Sequence, residues 1–285
     1  MEGNNLGRNI YAPQSLNELL HMREQHPDTI LWSGGTALMR MQKGPVPSFD
    51  RDIIHLSGVN ELKKIRRTER YLEIGAAVPV KKIINVGQHI LPFALAQALM
   101  SIGSPAVRNL ATMGGNLGIK DRRLNSFSVL MLMDSIVELR RSGKSRWIQL
   151  GRLNSIGEAE ILTRIRIPFR NWDLQYFRAV GDPLLHPMDS LSFTVLAETN
   201  KGIISNLRFA VGNTGKSTLR SLDFETYLSG KKLRLSGKEF DAAVNIFQSF
   251  VQNAEGDLTP FQKDRSLRFV HWFLRELRDV YIFTE

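Results

Sequence analysis

The sequence predicts an α+β protein, in which a longer mixed domain is followed by a small antiparallel sheet plus helices. Short apolar segments with strand-like alternation are interleaved with helical patterns over the first 170 residues. Three alternating segments then follow in succession, and from residue 221 the apolar spacing becomes helical. We therefore expect one domain at 1–170, with sub-parts of about 1–58 and 59–170, and a second at 171–285.

The first domain opens with strand and helix signals in turn. Ser15 and Glu18 have the spacing of a capping box and predict the start of a helix. The segment "TILWSGG" (29–35) predicts a strand that ends at two glycines, and a short helix is expected over 37–42. A further short strand is expected in "RDIIHLSG" (51–58).

The remainder of the first domain continues this mixture. The segment "YLEIGAAVPV" (71–80) predicts a strand that leads into a turn, and residues 80–103 are largely helical in pattern. The run "SFSVLMLMDSIVELRR" (126–141) is expected to be one long apolar strand. The segment "EILTRIRIP" (160–168) alternates as a strand, which its final proline terminates.

The second domain is expected to hold a three-stranded antiparallel meander and then helices. The three strands are predicted at 174–181, 190–199 and 204–213. Helical patterns follow at 222–230, 237–254 and 261–283. The aromatic residues of the last helix have the spacing of a core-facing stripe, and contacts with another subunit are the alternative interpretation for Trp272 and Phe273.

Composition excludes several kinds of site. The chain has no cysteine, so it can hold neither thiolate-bound zinc nor an iron–sulfur cluster. Its six histidines show no metal-ligand spacing, and no metal site is expected. The net charge of +10 comes from scattered basic residues without a recognisable nucleic-acid-binding module. This pattern predicts a solvated basic surface and no nucleic-acid binding.

The sequence also indicates where in the cell the protein is expected. It contains no stretch of about 18 apolar residues, so no membrane span is expected. The N-terminal segment lacks the apolar region of a secretory signal, and cysteine is absent. A cytoplasmic location is therefore expected.

Two glycine pairs are candidate binding segments. We call them the first glycine turn (Ser33, Gly34, Gly35, Thr36, Ala37) and the second glycine turn (Thr112, Met113, Gly114, Gly115, Asn116). Glycine reaches positive φ without strain and lets main-chain N–H groups approach a ligand closely. Successive N–H groups in such turns bind anions, so the two turns together predict a diphosphate clamp. Two ordinary tight turns are the alternative interpretation.

Several segments together carry a family resemblance. The segment "SGGTALMRMQKG" (33–44) is similar to a first flavin loop, usually written A-G-G-T-D-L, and "YLEIGAAVPVKKI" (71–83) to an I-G-A-x-V-T segment. The segment "IGSPAVRNLATMGGNLG" (102–118) is similar to an R-N-x-A-T-x-G-G-N loop. With these segments the chain resembles the flavoprotein (medium) subunit of the molybdenum hydroxylases, which include xanthine dehydrogenase and aerobic carbon monoxide dehydrogenase.

The resemblance implies a fold, a cofactor and a set of contacts. The fold is a two-part FAD-binding domain of the vanillyl-alcohol-oxidase-like (PCMH) type, and the cofactor is FAD. Both glycine turns would wrap the FAD pyrophosphate, and the backbone near Leu162 would lie against the flavin ring. Arg178 occupies the place of a basic residue near the ring, where a cation would stabilise the reduced flavin. For Arg178 a surface ion pair is the alternative interpretation.

Some positions depart from the family pattern. Ala37 replaces the aspartate of G-G-T-D-L. Asn125 falls where the family has an aspartate on the ribose side, and it can bind a hydroxyl group only without charge assistance. Asp121, Arg122 and Arg123 place additional charges in the same loop. Three consequences are open: weaker FAD binding, a different position of FAD, or a change in which partner binds.

The resemblance further implies an electron-transfer role without acid–base or nucleophilic residues. Substrate would be oxidised at a molybdenum cofactor on another chain, and electrons would pass through iron–sulfur clusters to FAD and then to NAD⁺ or another acceptor. Because this chain has no cysteine, an iron–sulfur subunit is an expected partner, together with a molybdenum-cofactor subunit.

Two other functions compete with this one. The segment "AVGNTGKST" (210–218) nearly matches the phosphate-binding loop G-x-x-x-x-G-K-[ST], and Asp134 ends an apolar run, which would indicate an NTPase. Against it, the first glycine of that motif is Ala210, and the preceding strand alternates as if half-exposed. A flavin-free or weakly flavin-binding scaffold is the other alternative, indicated by the altered loop 118–126.

Overall fold

The computed structural model describes residues 8–87, 89–120, 122–215, 217–254 and 258–279. Unit 1 consists of the described residues of Met1–Val86, Gly103–Gly118 and Asp134–Phe169, and unit 2 of those of Gly87–Ile102, Ile119–Met133 and Arg170–Glu285. Each unit combines separate stretches of the chain, and the continuous domains 1–170 and 171–285 stay a prediction. Within the described ranges, no helix has the length and apolar character that crossing a bilayer requires.

Unit 1 contains a small parallel sheet with strand order β1–β3–β2. The elements here are β1 (Ile10–Tyr11), α1 (Leu16–Gln25), β2 (Ile30–Trp32), α2 (Thr36–Arg40) and β3 (Ile53–His55). The predicted start of α1 is confirmed, because the Glu18 main-chain N–H donates to Ser15 Oγ at 3.2 Å. The Glu18 carboxylate accepts from the Gln14 N–H at 2.7 Å, one residue earlier than a capping box requires.

The second sheet of unit 1 is antiparallel, with strand order β4–β5–β8–β6–β7. Its strands are β4 (Ile65–Arg67), β5 (Tyr71–Gly75), β6 (Ile136–Arg141), β7 (Lys144–Gln149) and β8 (Ile161–Pro168). On β8, Arg164 lies opposite Glu138 while Leu162 lies opposite Leu139. Thr163 therefore has no partner on β6 and forms a β-bulge.

Several short helices lie between β5 and β6 in the chain. They are α3 (Val80–Ile84), α4 (Phe93–Met100), α5 (Pro105–Leu110), α6 (Met113–Leu117) and α7 (Asn125–Leu132). Helices α4 and α7 belong to unit 2, and the other three belong to unit 1. Prolines mark three of these helix starts, since Pro79 and Pro92 are the N-caps of α3 and α4 and Pro105 is the first residue of α5.

The apolar run 126–141 is not one strand, and the prediction is wrong there. Residues up to Leu132 form α7, β6 begins only at Ile136, and Asp134 between them has a φ of 55°. Seven of the eight residues of α7 are buried, so its sequence shows no polar face. A continuous apolar run of this kind does not distinguish a buried helix from a buried strand.

Unit 2 contains the predicted antiparallel meander. Its strands are β9 (Leu174–Val180), β10 (Leu191–Asn200), β11 (Ile203–Thr214) and β12 (Ser217–Leu219), in the order β12–β11–β10–β9. The first three strands are confirmed by their antiparallel pairing. The predicted total of three strands is corrected by β12, which is too short to show an alternating pattern.

The core of unit 2 includes residues of the sheet and of helices α8 (Leu222–Leu228), α9 (Gly237–Asn253) and α10 (Pro260–Asp279). Its largest buried side chains are phenylalanines, and the Phe209 and Phe224 ring centroids lie 5.1 Å apart. Phe273 is 0% exposed in this core, so its interpretation as a subunit contact is wrong. Trp272 is half-buried, with its ring edge-on to that of Tyr176.

Candidate functional site

The first glycine turn joins β2 to α2 and packs tightly against a distant part of unit 1. Gly35 has a left-handed φ of 67°, and a Cβ there would lie 2.3 Å from the Trp32 ring. At Gly34, a Cβ would lie 1.8 Å from the main-chain oxygen of Leu110. A side chain at either position would therefore clash with a neighbouring group, so both positions require glycine. Because Leu110 lies two residues before Thr112, the contact brings the two glycine turns into one region.

The first glycine turn leaves main-chain donors unpaired. The N–H groups of Thr36, Ala37 and Leu38 begin α2, so they have no acceptor within that helix. Among the described residues, no other group accepts from them and no side chain caps the helix. Likewise, the hydroxyl groups of Ser33 and Thr36 form no hydrogen bond with any residue that the structure describes. Residues 33–38 are half-buried, so this segment is partly exposed to solvent.

The main-chain donors of the second glycine turn are already used within the protein. The N–H groups of residues 113–116 donate, in chain order, to the Val78 oxygen (3.4 Å), the Ala76 oxygen (2.8 Å), Thr112 Oγ1 (3.2 Å) and the Thr112 oxygen (2.9 Å). The expected clamp of amides from both turns is therefore corrected, because among the described residues the N–H groups of 113–116 have acceptors and those of Thr36 and Ala37 do not. Contact between the second turn and FAD by other atoms stays a prediction.

Ala76 connects the second glycine turn to strand β8. Its oxygen accepts from the Gly114 N–H, and its own N–H donates to the Thr163 oxygen at 2.9 Å. A Cβ on Gly114 would lie 2.7 Å from Ala76 Cβ, so this glycine is also required by packing. Thr163 directly follows Leu162, whose side chain is buried. Unit 1 thus places both glycine turns and Leu162 in one continuous region.

The other two predicted site residues, Asn125 and Arg178, belong to unit 2. The buried Asn125 amide donates to Ser101 Oγ at 2.7 Å and accepts from Asn213 Nδ2 at 2.5 Å, which anchors the start of α7. Arg178 is exposed, and its guanidinium carbon lies 4.7 Å from the centroid of the Trp272 ring in a cation–π contact. The roles of both residues toward FAD stay predictions.

The segment similar to a phosphate-binding loop forms a β-hairpin between β11 and β12. Positive φ values at Asn213 (63°) and Gly215 (85°) turn the chain back into an antiparallel strand. A phosphate-binding loop instead leads into a helix, so this geometry contradicts the NTPase interpretation. The candidate aspartate, Asp134, follows a helix and not a strand. Lys216 of the motif and Asp121 of the altered loop lie outside the described residues.

The five-stranded sheet carries a buried network of charged side chains that no sequence pattern predicted. Glu138 is only 3% exposed, and it accepts two hydrogen bonds from Arg164 at 2.7 Å and one from Thr163 Oγ1 at 2.6 Å. Glu73 accepts from Arg164 at 3.3 Å and from Arg166 at 2.8 Å. Burial raises the pKa of Glu138, but the hydrogen bonds from Arg164 and Thr163 outweigh it, so the pKa lies below its ordinary value. These residues lie side by side because of the register between strands β5, β8 and β6, and the pattern of a single sequence does not predict that register.

Comparison with known protein families identifies the family of this chain. Residues 5–170 match the family described as the FAD binding domain in molybdopterin dehydrogenase. The chain belongs to this family. FAD is therefore its cofactor, and the chain is a flavoprotein of an oxidoreductase family, as the sequence resemblance implied.

Individual relatives agree with this family of FAD-binding domains. The nicotinate dehydrogenase FAD-subunit of Eubacterium barkeri is 30% identical over 178 residues, which are 55% of this chain and 57% of that protein. Probable aldehyde oxidase 3 of Oryza sativa subsp. japonica is 28% identical over 246 residues, or 79% of this chain. The matched region is only 18% of the rice protein, so this chain corresponds to a small part of it.

Two solved enzymes share the fold over nearly the whole chain. A chain of carbon monoxide dehydrogenase from Hydrogenophaga pseudoflava superposes with a TM-score of 0.76 at 20% identity, covering 94% of this chain and 95% of that one. A chain of quinoline 2-oxidoreductase from Pseudomonas putida 86 gives 0.77 at 17% identity, covering 95% of each. At these identities the likeness concerns the fold, and it confirms the predicted mixture of helices and sheets.

The residues of the first glycine turn fit the diphosphate part of FAD. A diphosphate is an anion that accepts hydrogen bonds from main-chain N–H groups, and those of Thr36, Ala37 and the following Leu38 have no acceptor among the described residues. Residues 30–44 contain no acidic side chain. With Ala37 at the family's aspartate position, no carboxylate of this segment opposes the ligand.

Proposed function

We propose that this chain is the FAD-carrying electron-transfer component of a molybdenum hydroxylase-type oxidoreductase complex. It would receive electrons from the iron–sulfur clusters of a partner and deliver them through FAD to NAD⁺ or another acceptor. The observation that best supports the proposal is the first glycine turn, whose unpaired N–H groups lie beside the second turn in a chain of an FAD-binding family.

In this proposal the chain acts by holding and orienting FAD. The N–H groups of Thr36, Ala37 and Leu38 bind the diphosphate, and the main chain near Leu162 supports the flavin ring. Bound FAD supplies the conversion between one-electron and two-electron transfer. No acid–base or nucleophilic side chain is required for that task.

The family resemblance supports further contacts and a finer fold assignment. We propose Asn125 on the ribose side of FAD and Arg178 near the flavin ring, where a positive charge would favour the reduced cofactor. We also propose that the parallel and antiparallel sheets of unit 1 are the two parts of a vanillyl-alcohol-oxidase-like (PCMH) domain.

Composition and relatives support the proposed partners. These 285 residues contain no cysteine, so they supply no thiolate ligand to an iron–sulfur cluster. One matched relative is named an FAD-subunit, and one matched structure is a Cu,Mo-CO dehydrogenase. We propose an iron–sulfur subunit and a molybdenum-cofactor subunit as partners, in the cytoplasm.

Absorption spectroscopy with cofactor analysis tests the proposal. After incubation with FAD and removal of the unbound cofactor, the purified chain should keep flavin bands near ~370 and ~450 nm. Purification from the native host should recover the chain with FAD, iron and molybdenum. A colourless chain that takes up no FAD would favour the scaffold alternative. An FAD-loaded chain recovered without iron or molybdenum would contradict the proposed complex.

A further inference from the structure

We propose that Glu138 and Thr163 are positioning residues for FAD, which fix the main chain of Leu162 and the second glycine turn through the bulge in β8. The inference rests on the proposed function, because it assumes that these two segments contact FAD. It assigns a role to a buried carboxylate that neither the sequence motifs nor the electron-transfer role requires.

The geometry of the bulge depends on the Glu138 carboxylate. In a regular strand, successive side chains point to opposite faces of the sheet. Thr163 and Arg164 are consecutive, yet both donate to the same carboxylate, at 2.6 Å and 2.7 Å. The bulge makes this possible, since it turns the Thr163 side chain toward the face of Arg164. The shared carboxylate therefore stabilises this particular irregular backbone.

The chemistry of Glu138 supports a specific role. Burying a carboxylate is unfavourable unless it is paired and hydrogen-bonded, and an apolar residue would fill the same space without that cost. Arg164 supplies two charge-assisted hydrogen bonds, and the third donor is Thr163 Oγ1. Thr163 is itself only 1% exposed, so water does not replace its hydroxyl bond.

The bulge is connected to both predicted FAD-binding segments. Leu162 is covalently adjacent to Thr163. On the other side, the Thr163 oxygen accepts from the Ala76 N–H at 2.9 Å, and the Ala76 oxygen accepts from the Gly114 N–H at 2.8 Å. Because buried, close-packed groups transmit small displacements, a shift of the bulge moves Leu162 and the second glycine turn together.

Removing one hydroxyl group tests the proposal in the full-length chain. Thr163→Val keeps the side-chain shape, Thr163→Ser keeps the hydroxyl, and Thr199→Val removes a comparable hydroxyl–carboxylate bond, to Asp173 in unit 2. The readouts are the FAD dissociation constant from fluorescence quenching and the visible circular dichroism of flavin at saturating FAD. We expect Thr163→Val to bind FAD roughly tenfold more weakly, with altered dichroism, while the other two variants resemble wild type.

The possible outcomes separate this inference from the proposed function. Wild-type chain that binds no FAD contradicts the proposed function. Wild-type chain that binds FAD, with Thr163→Val equal to it in affinity and dichroism, overturns the positioning role alone. A lower melting temperature with unchanged dichroism at saturation indicates a merely structural role and also overturns it. If Thr163→Val does not fold, Glu138→Gln decides by the same two readouts, because its amide NH₂ cannot accept from Arg164.

Discussion

At the scale of single residues, Thr36 offers a clean test of the first glycine turn. Its N–H is unpaired among the described residues, and it is the first residue of α2. A glutamate there suits the start of a helix, which favours negative charge. The same carboxylate would repel a diphosphate at the neighbouring N–H groups. We expect Thr36→Glu to bind FAD at least roughly tenfold more weakly in a fluorescence titration, with no loss of melting temperature.

The matched control for this change is Thr36→Gln, which has the size of glutamate without its charge. We expect Thr36→Gln to lose much less FAD affinity than Thr36→Glu, and the difference between them measures the electrostatic part. Equal affinities for the two variants would show that no anion binds at this turn.

The charged network predicts a pH dependence of stability. The pKa of Glu138 is lower in the folded chain than in the unfolded chain, so its ionised form stabilises the fold above the unfolded value of about 4.3. This contribution is lost as the pH falls through the folded pKa. We expect the free energy of unfolding to fall more between pH 7 and pH 3 in wild type than in Glu138→Gln, measured by urea titration. Identical pH dependence in the two proteins would contradict this assignment.

The sequence singles out the glycine pairs of the candidate site, but it does not predict which groups their atoms contact. The glycine pairs are evident as motifs, but the reason for Gly34 is its contact with Leu110, which only folding brings near. In the same way, nothing in "TMGGN" indicates that Ala76 and Thr112 already use its amides. Hydrogen-bond partners distant in the chain are set by tertiary packing, and local patterns do not contain them.

At the scale of secondary structure elements, the first glycine turn packs closely against Leu110, and we expect this contact to contribute to the free energy of unfolding. Gly34→Ala would place a Cβ 1.8 Å from the Leu110 oxygen, so the backbone must shift. We expect a loss of about 3 kcal/mol in the free energy of unfolding, measured by denaturant titration. The control is Gly237→Ala at the start of α9, where a Cβ meets nothing within 4 Å. That variant should be as stable as wild type or up to about 1 kcal/mol more stable, and equal stability of the two variants would contradict the packing argument.

Elements with a clear period or cap are the ones that the sequence predicts correctly. The meander strands β9, β10 and β11 alternate, and α1 has Ser15 as its cap. The errors have physical reasons. Helix α7 is buried on nearly all sides and shows no helical polar face, and β12 is a three-residue strand defined by its hairpin. The bulge at Thr163 also has no local signal, because it depends on the register between β6 and β8.

At the scale of the whole molecule, the family resemblance carried by 33–44 and 102–118 predicts the fold and the cofactor. The family match over residues 5–170 confirms FAD, and the solved structures confirm the mixed fold. The electron partners and the acceptor remain proposals, because neither the family match nor the structure of this chain tests them. What the structure adds is a difference between the two turns of unit 1. Among the described residues, the N–H groups of Thr36 and Ala37 have no acceptor, whereas those of residues 113–116 donate to other groups of the protein.

The structure of the full-length chain determined with bound FAD tests this account most directly. The account predicts diphosphate oxygens within about 3.2 Å of the nitrogen atoms of Thr36, Ala37 or Leu38. It also predicts that the N–H groups of residues 113–116 keep their internal acceptors. A diphosphate bound away from the first glycine turn, with those three N–H groups facing solvent, would contradict it.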